Sequence, residues 1–118
     1  MTMRVLRLTD GGLEEDYGIL CKALFPKDED GATFGFVWAE VPPGGASNPD
    51  AHPEHEAFVI AAGSGTITVD GTATHVSRGD AVFIPAGTEH VIRNTEQTPL
   101  SFVAIWWDES VDREPLDG

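Results

Sequence analysis

The apolar residues of this chain come in short runs and never sustain a helical period. Clusters of Gly, Pro, Asp and Asn interrupt them at close spacing. That alternation of short run and turn points to an all-β sandwich or barrel. The expected strands cover residues 4–8, 18–24, 34–41, 56–61, 66–69, 73–76, 81–84, 90–94 and 100–107. Val, Ile, Phe, Trp and Thr dominate them, side chains that pack well on a pleated surface. Asp70-Gly71, between Val69 and Thr72, is a two-residue hairpin signal, because both turn positions need positive φ, which Asp tolerates and Gly favours. Pro42-Pro43-Gly44-Gly45 stops a strand abruptly, and residues 46–49 read as a polar loop. Residues 26–31 form a second turn-rich break, and the acidic tail 108–118, which holds Pro115, is expected to fray.

A length of 118 residues suits one domain, 1–118, with the N-terminal strands of 1–31 as a possible dimer contact. Apolar residues make up 41% of the chain, enough for one core. No uncharged apolar run reaches membrane-spanning length, and the start lacks the apolar stretch of a secretory signal, so a cytoplasmic protein is expected. Seven Lys and Arg face twenty Asp and Glu, a net charge of -13. Such a surface repels phosphate backbones and anionic lipid, which argues against nucleic-acid and membrane partners. Cys21 is the single cysteine, so no intrachain disulfide forms, and its apolar neighbours Ile19 and Leu20 suggest a buried structural thiol.

Chemistry gathers in the middle of the chain. Asp50, His52 and Glu56 stand at even-numbered separations, so on extended backbone all three point to one face. His90 follows the tight turn of Pro85-Ala86-Gly87-Thr88-Glu89 and starts a strand that can face them. Two His and one carboxylate are the facial set of metal sites with open positions. Glu56 also leads into the apolar run Ala57-Phe58-Val59-Ile60, where an acid is costly unless paired or metal-bound. His55 is out of phase with His52 and Glu56 and should face away from the interior, His75 sits in a polar strand and is expected to be exposed, and Asn94 reads as a structural hydrogen-bonder. Trp106 and Trp107 are adjacent, so one faces in and one out. Phe36 and Trp38 share a face and are expected, with Phe58, Ile92 and Trp106, to line the cavity.

Two spacings carry a resemblance. Gly44-(five residues)-Asp50-Ala51-His52-(three)-Glu56-(six)-Gly63 is similar to the first cupin motif, and Gly79-(five)-Pro85-Ala86-Gly87-(two)-His90-(three)-Asn94 is similar to the second at every defined position. The resemblance implies a double-stranded β-helix, or jelly-roll, barrel. It also implies one divalent metal ion, iron, zinc, manganese or nickel, held by His52, Glu56 and His90. The first motif normally has His where Asp50 stands. Either Asp50 still ligates and yields a neutral site that favours harder ions, or it stands aside and leaves room for substrate or water.

Two classes of function follow. One is a metal-dependent enzyme acting on a small-molecule metabolite by oxygenation, isomerisation or rearrangement, with Asp50 or a bound water as acid-base group. The other is a non-catalytic cupin that binds a metal or small ligand. Residues 43–47 with Asp50-Ala51-His52, and residues 100–106, also resemble the cupin part of hydrazine-forming synthetases of natural-product biosynthesis. That resemblance implies an N–N bond-forming rearrangement of an activated N-hydroxylated amine. The chain carries no synthetase-like part, so a separate protein would supply the activation. The cupin resemblance further implies a homodimer through the N-terminal strands, which would cover an open sheet edge.

Overall fold

The computed structural model describes residues 3, 5–24 and 33–108. Among them nine strands form: β1 (Glu14–Asp16), β2 (Ile19–Ala23), β3 (Phe34–Val41), β4 (Glu54–Ala62), β5 (Ser64–Val69), β6 (Thr72–Ser77), β7 (Ala81–Ile84), β8 (His90–Arg93) and β9 (Leu100–Asp108). All pairings are antiparallel, in a six-stranded sheet ordered β1-β2-β3-β9-β4-β7 and a three-stranded sheet ordered β6-β5-β8. The described residues contain no helix long and apolar enough to cross a membrane. The fold is the jelly roll that the run-and-turn pattern and the two motifs anticipate.

Period two sets the two faces of each strand. On β4, Glu56, Phe58 and Ile60 are buried while Val59 is exposed; on β9, Leu100, Phe102 and Ala104 are buried. Their registers align in rows: Ala104 lies opposite Val37 and Phe58, and Phe102 opposite Ala39 and Ile60. Ile67, Val76 and Ile92 of the smaller sheet close the core from the other side. Phe102 stacks on Phe58 with ring centroids 4.5 Å apart and is 2% exposed. Truncating a buried Phe of this kind costs about 3–5 kcal/mol.

The Asp70-Gly71 turn forms as the sequence suggests, with φ of 52° and 84° joining β5 to β6. A second hairpin of the same geometry joins β1 to β2 through Tyr17 (φ 54°) and Gly18 (φ 80°). It displaces an expectation. Residues 5–8, read as part of a first strand, join no ladder, and Arg4 lies outside the described residues. The edge of the large sheet is taken instead by β1, whose three residues are all exposed. The Arg7 carbonyl meets the Lys22 ammonium, which donates to it at 2.8 Å. The expected break at 26–31 lies outside the described residues, as does the tail beyond Asp108.

Residues 46–49 are not a free loop. Ser47 N–H donates to the Ile92 carbonyl at 2.9 Å, the Ser47 hydroxyl oxygen accepts from Ile92 N–H at 3.0 Å, and Ala46 bridges Arg93. Asn94 N–H donates to the Gly45 carbonyl at 2.9 Å. The polar segment thus runs antiparallel along β8, satisfying backbone groups that an open edge would leave bare. That zipper delivers Asp50 to His90.

Candidate metal centre and its cavity

His90 opens β8 and Asp50 ends the zippered segment. They exchange backbone hydrogen bonds, His90 N–H to Asp50 oxygen at 2.9 Å and Asp50 N–H to His90 oxygen at 3.3 Å. His52 lies two residues on, outside any strand, and its carbonyl accepts from Gly87 N–H at 2.8 Å. The first motif is therefore clamped to the turn of the second. Glu56 projects inward from β4, in the row that also holds Trp106 and Ile84. Asp50, His52 and His90 offer donor atoms that all lie within 4.8 Å of one another. They converge, but Asp50 does so from the zippered segment beside β8, not from an extended strand shared with Glu56.

Glu56 sits at the centre. Its Oε1 is 3.0 Å from Nε2 of His52 and 3.2 Å from Nε2 of His90. The other ring nitrogens are committed elsewhere: Nδ1 of His52 lies 3.1 Å from the Glu54 carbonyl, and Nδ1 of His90 lies 3.1 Å from the Thr88 carbonyl. A carbonyl only accepts, so each Nδ1 carries a proton. In the neutral tautomer both Nε2 lone pairs would then face one carboxylate oxygen. Such an arrangement requires positive charge between the three atoms, supplied by protons or by a metal ion. Donor atoms held at right angles on bonds of about 2.1 Å lie roughly 3.0 Å apart, so the spacing suits a metal. Asp50, His52 and His90 are the mutually close donor set, one imidazole pair and a carboxylate suited to a borderline-to-hard divalent ion, and Glu56 meets both imidazoles. Backbone acceptors on Nδ1 are the usual supports that orient metal-binding imidazoles.

Electrostatics follow the same geometry. Burial by itself lowers the pKa of His90. The hydrogen bond to Glu56, the Thr88 carbonyl and the negative charges of Glu56 and Asp50 outweigh it and hold the imidazole above its ordinary value.

Behind this group lies a cavity of about 330 Å³. Phe58, Ile92 and Trp106 line it, together with Ile19, Val37, Ala39, Phe102 and Ala104. Phe36 and Trp38 do not: β3 is apolar on both faces, and its inward set is Gly35, Val37, Ala39 and Val41. Trp106 explains the parity. It lies opposite Gly35, and any side chain built at position 35 would collide with its indole ring. Trp107 turns outward and stacks with His55 at 6.0 Å between centroids. His55 is half-buried on that outer face, where its Nδ1 accepts from Ala86 N–H at 2.9 Å. His75 is exposed.

With residues 37–106, the chain matches the sequence model of the Cupin_2 family, the cupin domain. The chain belongs to the cupin family. A cupin 2 conserved barrel domain protein from Salinispora arenicola superposes with a TM-score of 0.84 at 29% identity, over 96% of each chain. The polyketide cyclase RemF from Streptomyces resistomycificus superposes with a TM-score of 0.76 at 25% identity, over 89% of this cupin and 79% of that chain. In sequence, the mannose-1-phosphate guanylyltransferase of Escherichia coli is 39% identical over 66 residues. That match takes in 55% of this cupin and 14% of the enzyme, so the cupin spans a small part of its relative's length.

Among the cavity residues of this cupin that escape the motif reading are Asp16, Tyr17, Cys21 and Asn48. The first three come from the β1–β2 hairpin, whose one local signal is the glycine at 18. Cys21 is half-buried on the cavity wall and not in the interior proper. Burial, then the nearby Asp16, pushes its thiol up to about 11, so at neutral pH it is protonated and a poor nucleophile. Burial and the negative charges of Asp16 and Asp50 likewise raise the Tyr17 phenol.

Proposed function

We propose that this cupin holds one divalent metal ion with His52, Glu56, His90 and Asp50 and acts on a small-molecule metabolite with an apolar, ring-sized body. The observation that carries the reading is Glu56 Oε1, seated 3.0 and 3.2 Å from two Nε2 atoms whose partner nitrogens are already satisfied. When bound, an iron, zinc, manganese or nickel ion supplies Lewis acidity and open positions for a chelating group or dioxygen. The protein's own part is positional. His52 and His90 are fixed by backbone carbonyls, and Glu56 is fixed by its row in the sheet. Asp50, exchanging backbone bonds with His90 at the cavity wall, is the group we assign to proton transfer.

The cavity walls support the substrate class. Apolar side chains from Ile19, Phe58, Ile92, Phe102 and Trp106 surround the inner space, and among the described residues no Lys or Arg lines it. A neutral or cationic organic molecule suits such a site better than a free anion. The likeness to a polyketide cyclase favours cyclisation or a related rearrangement of an organic skeleton.

Reconstitution with each metal, followed by calorimetry and turnover assays on ring-bearing substrates with and without oxygen, tests the proposal. Asp50→Asn is expected to weaken the metal by about tenfold to a hundredfold and, at saturating metal, to lose turnover by about a hundredfold or more, the size of a general acid-base contribution. Tight zinc binding with no turnover of any candidate would turn the reading toward a non-catalytic binding protein.

A further inference from the structure

Tyr17 is out of place by the rules of its own turn. A two-residue hairpin with positive φ at both positions prefers Asn, Asp or Gly at the first, because their small or locally bonding side chains tolerate left-handed backbone. The molecule contains its own control. Asp70-Gly71 has φ of 52° and 84°, follows that preference, and is exposed away from the cavity. Tyr17-Gly18 has φ of 54° and 80° but presents a bulky ring. Such an outlier persists only where the surroundings hold it, and these do. Asn48 N–H donates to the Tyr17 carbonyl at 2.7 Å, and Gly18, bare of a side chain, lies against Asn48 and the Ala46 carbonyl. The hairpin tip is thereby pinned to the zippered segment that carries Asp50. The ring gains little shelter from this, being 57% exposed, yet it lines the same cavity as Asp50, His52, Glu56 and His90.

We infer that Tyr17 is the specificity-determining residue of the cavity, forming the outer wall against which the ring of a substrate packs while its polar end faces the His and carboxylate cluster. The inference rests on the proposed function for the identity of that inner end. It commits to a substrate class: molecules with a chelating or polar head and an aromatic or similarly flat body long enough to reach the mouth. The turn gives up its preferred residue for that contact, as local rules are broken where function requires it.

The test compares wild type with Tyr17→Ala, Tyr17→Phe and Tyr17→Asn. Zinc affinity is measured first by calorimetry, then binding of acetohydroxamate and benzohydroxamate to the zinc-loaded proteins. The two probes share a chelating head and differ by one ring. Tyr17→Ala and Tyr17→Asn are expected to weaken benzohydroxamate about tenfold while leaving zinc and acetohydroxamate unchanged, and Tyr17→Phe is expected to stay within about twofold of wild type. Tyr17→Asn restores the residue the turn prefers, so it keeps or raises the melting temperature and guards against a variant that merely unfolds. Equal weakening of both hydroxamates, or of neither, overturns the inference. If wild type binds no zinc, the metal reading fails on its own. Titration of the metal-free proteins with the neutral fluorophore N-phenyl-1-naphthylamine then decides Tyr17: a tenfold loss in Tyr17→Asn upholds the role, and equal affinity removes it.

Discussion

His90 and Asn94 come from the same stretch of chain, one opening β8 and the other following its last residue. Both are buried, at 6% and 0% exposure. Their surroundings are opposite. Asn94 has every polar atom answered: its amide nitrogen donates to the carbonyls of Val41 at 2.9 Å and Thr98 at 2.8 Å, and its oxygen accepts from Glu96 N–H at 2.8 Å. His90 has one nitrogen answered by the Thr88 carbonyl and the other aimed, beside that of His52, at a single carboxylate oxygen. A buried polar group that is fully paired holds a fold together. Buried groups that converge with lone pairs opposed leave a place for something positive.

The largest effect that would break this contrast is on metal affinity. His90→Ala is expected to weaken zinc binding by about a hundredfold or more in calorimetry, with His75→Ala indistinguishable from wild type. Equal affinity in both variants would dissolve the distinction between the two ends of β8. Next in size is stability. Asn94→Ala leaves two carbonyls and one amide without their partner, a loss of about 2–4 kcal/mol in urea unfolding, while the folded variant keeps wild-type zinc affinity. A stable Asn94→Ala protein would show that its bonds hold nothing together.

The smallest effect is a pH dependence confined to one of the pair. His90 titrates above its ordinary value in the folded, metal-free protein. The stability it contributes is fully present below the unfolded pKa of about 6.5 and fades as pH rises through the folded value. Urea titrations of metal-free wild type and His90→Gln should therefore diverge below neutrality and converge in the alkaline range. Asn94→Ala should track wild type at a constant offset, and parallel curves for wild type and His90→Gln would remove the role given to the Glu56 contact.

Most strands and the meeting of Asp50, His52, Glu56 and His90 were legible because their signals are local. The Asp70-Gly71 turn, the apolar runs and the two motif spacings each depend on neighbours in sequence. What was not legible depends on pairing. β1 consists of Glu14, Glu15 and Asp16, exposed charges with no apolar alternation, and it exists because Tyr17-Gly18 folds it back on β2. The segment 46–49 looks like a loop because its strand partner is β8, far along the chain. On β3 both parities are apolar, so Phe36 and Trp38 were as plausible inward as Val37 and Ala39. Only the glycine at 35, opposite Trp106, marks which face must make room.

That bare position has a reach beyond β3. The indole of Trp106 can lie flat on the barrel wall because nothing projects from residue 35 beneath it. Add even a methyl group there and the ring must tilt toward the space a guest would fill. The girth of the chamber is therefore governed from a strand that contributes no donor atom, and two proteins with identical histidines and carboxylates can admit different guests through one change on the far wall.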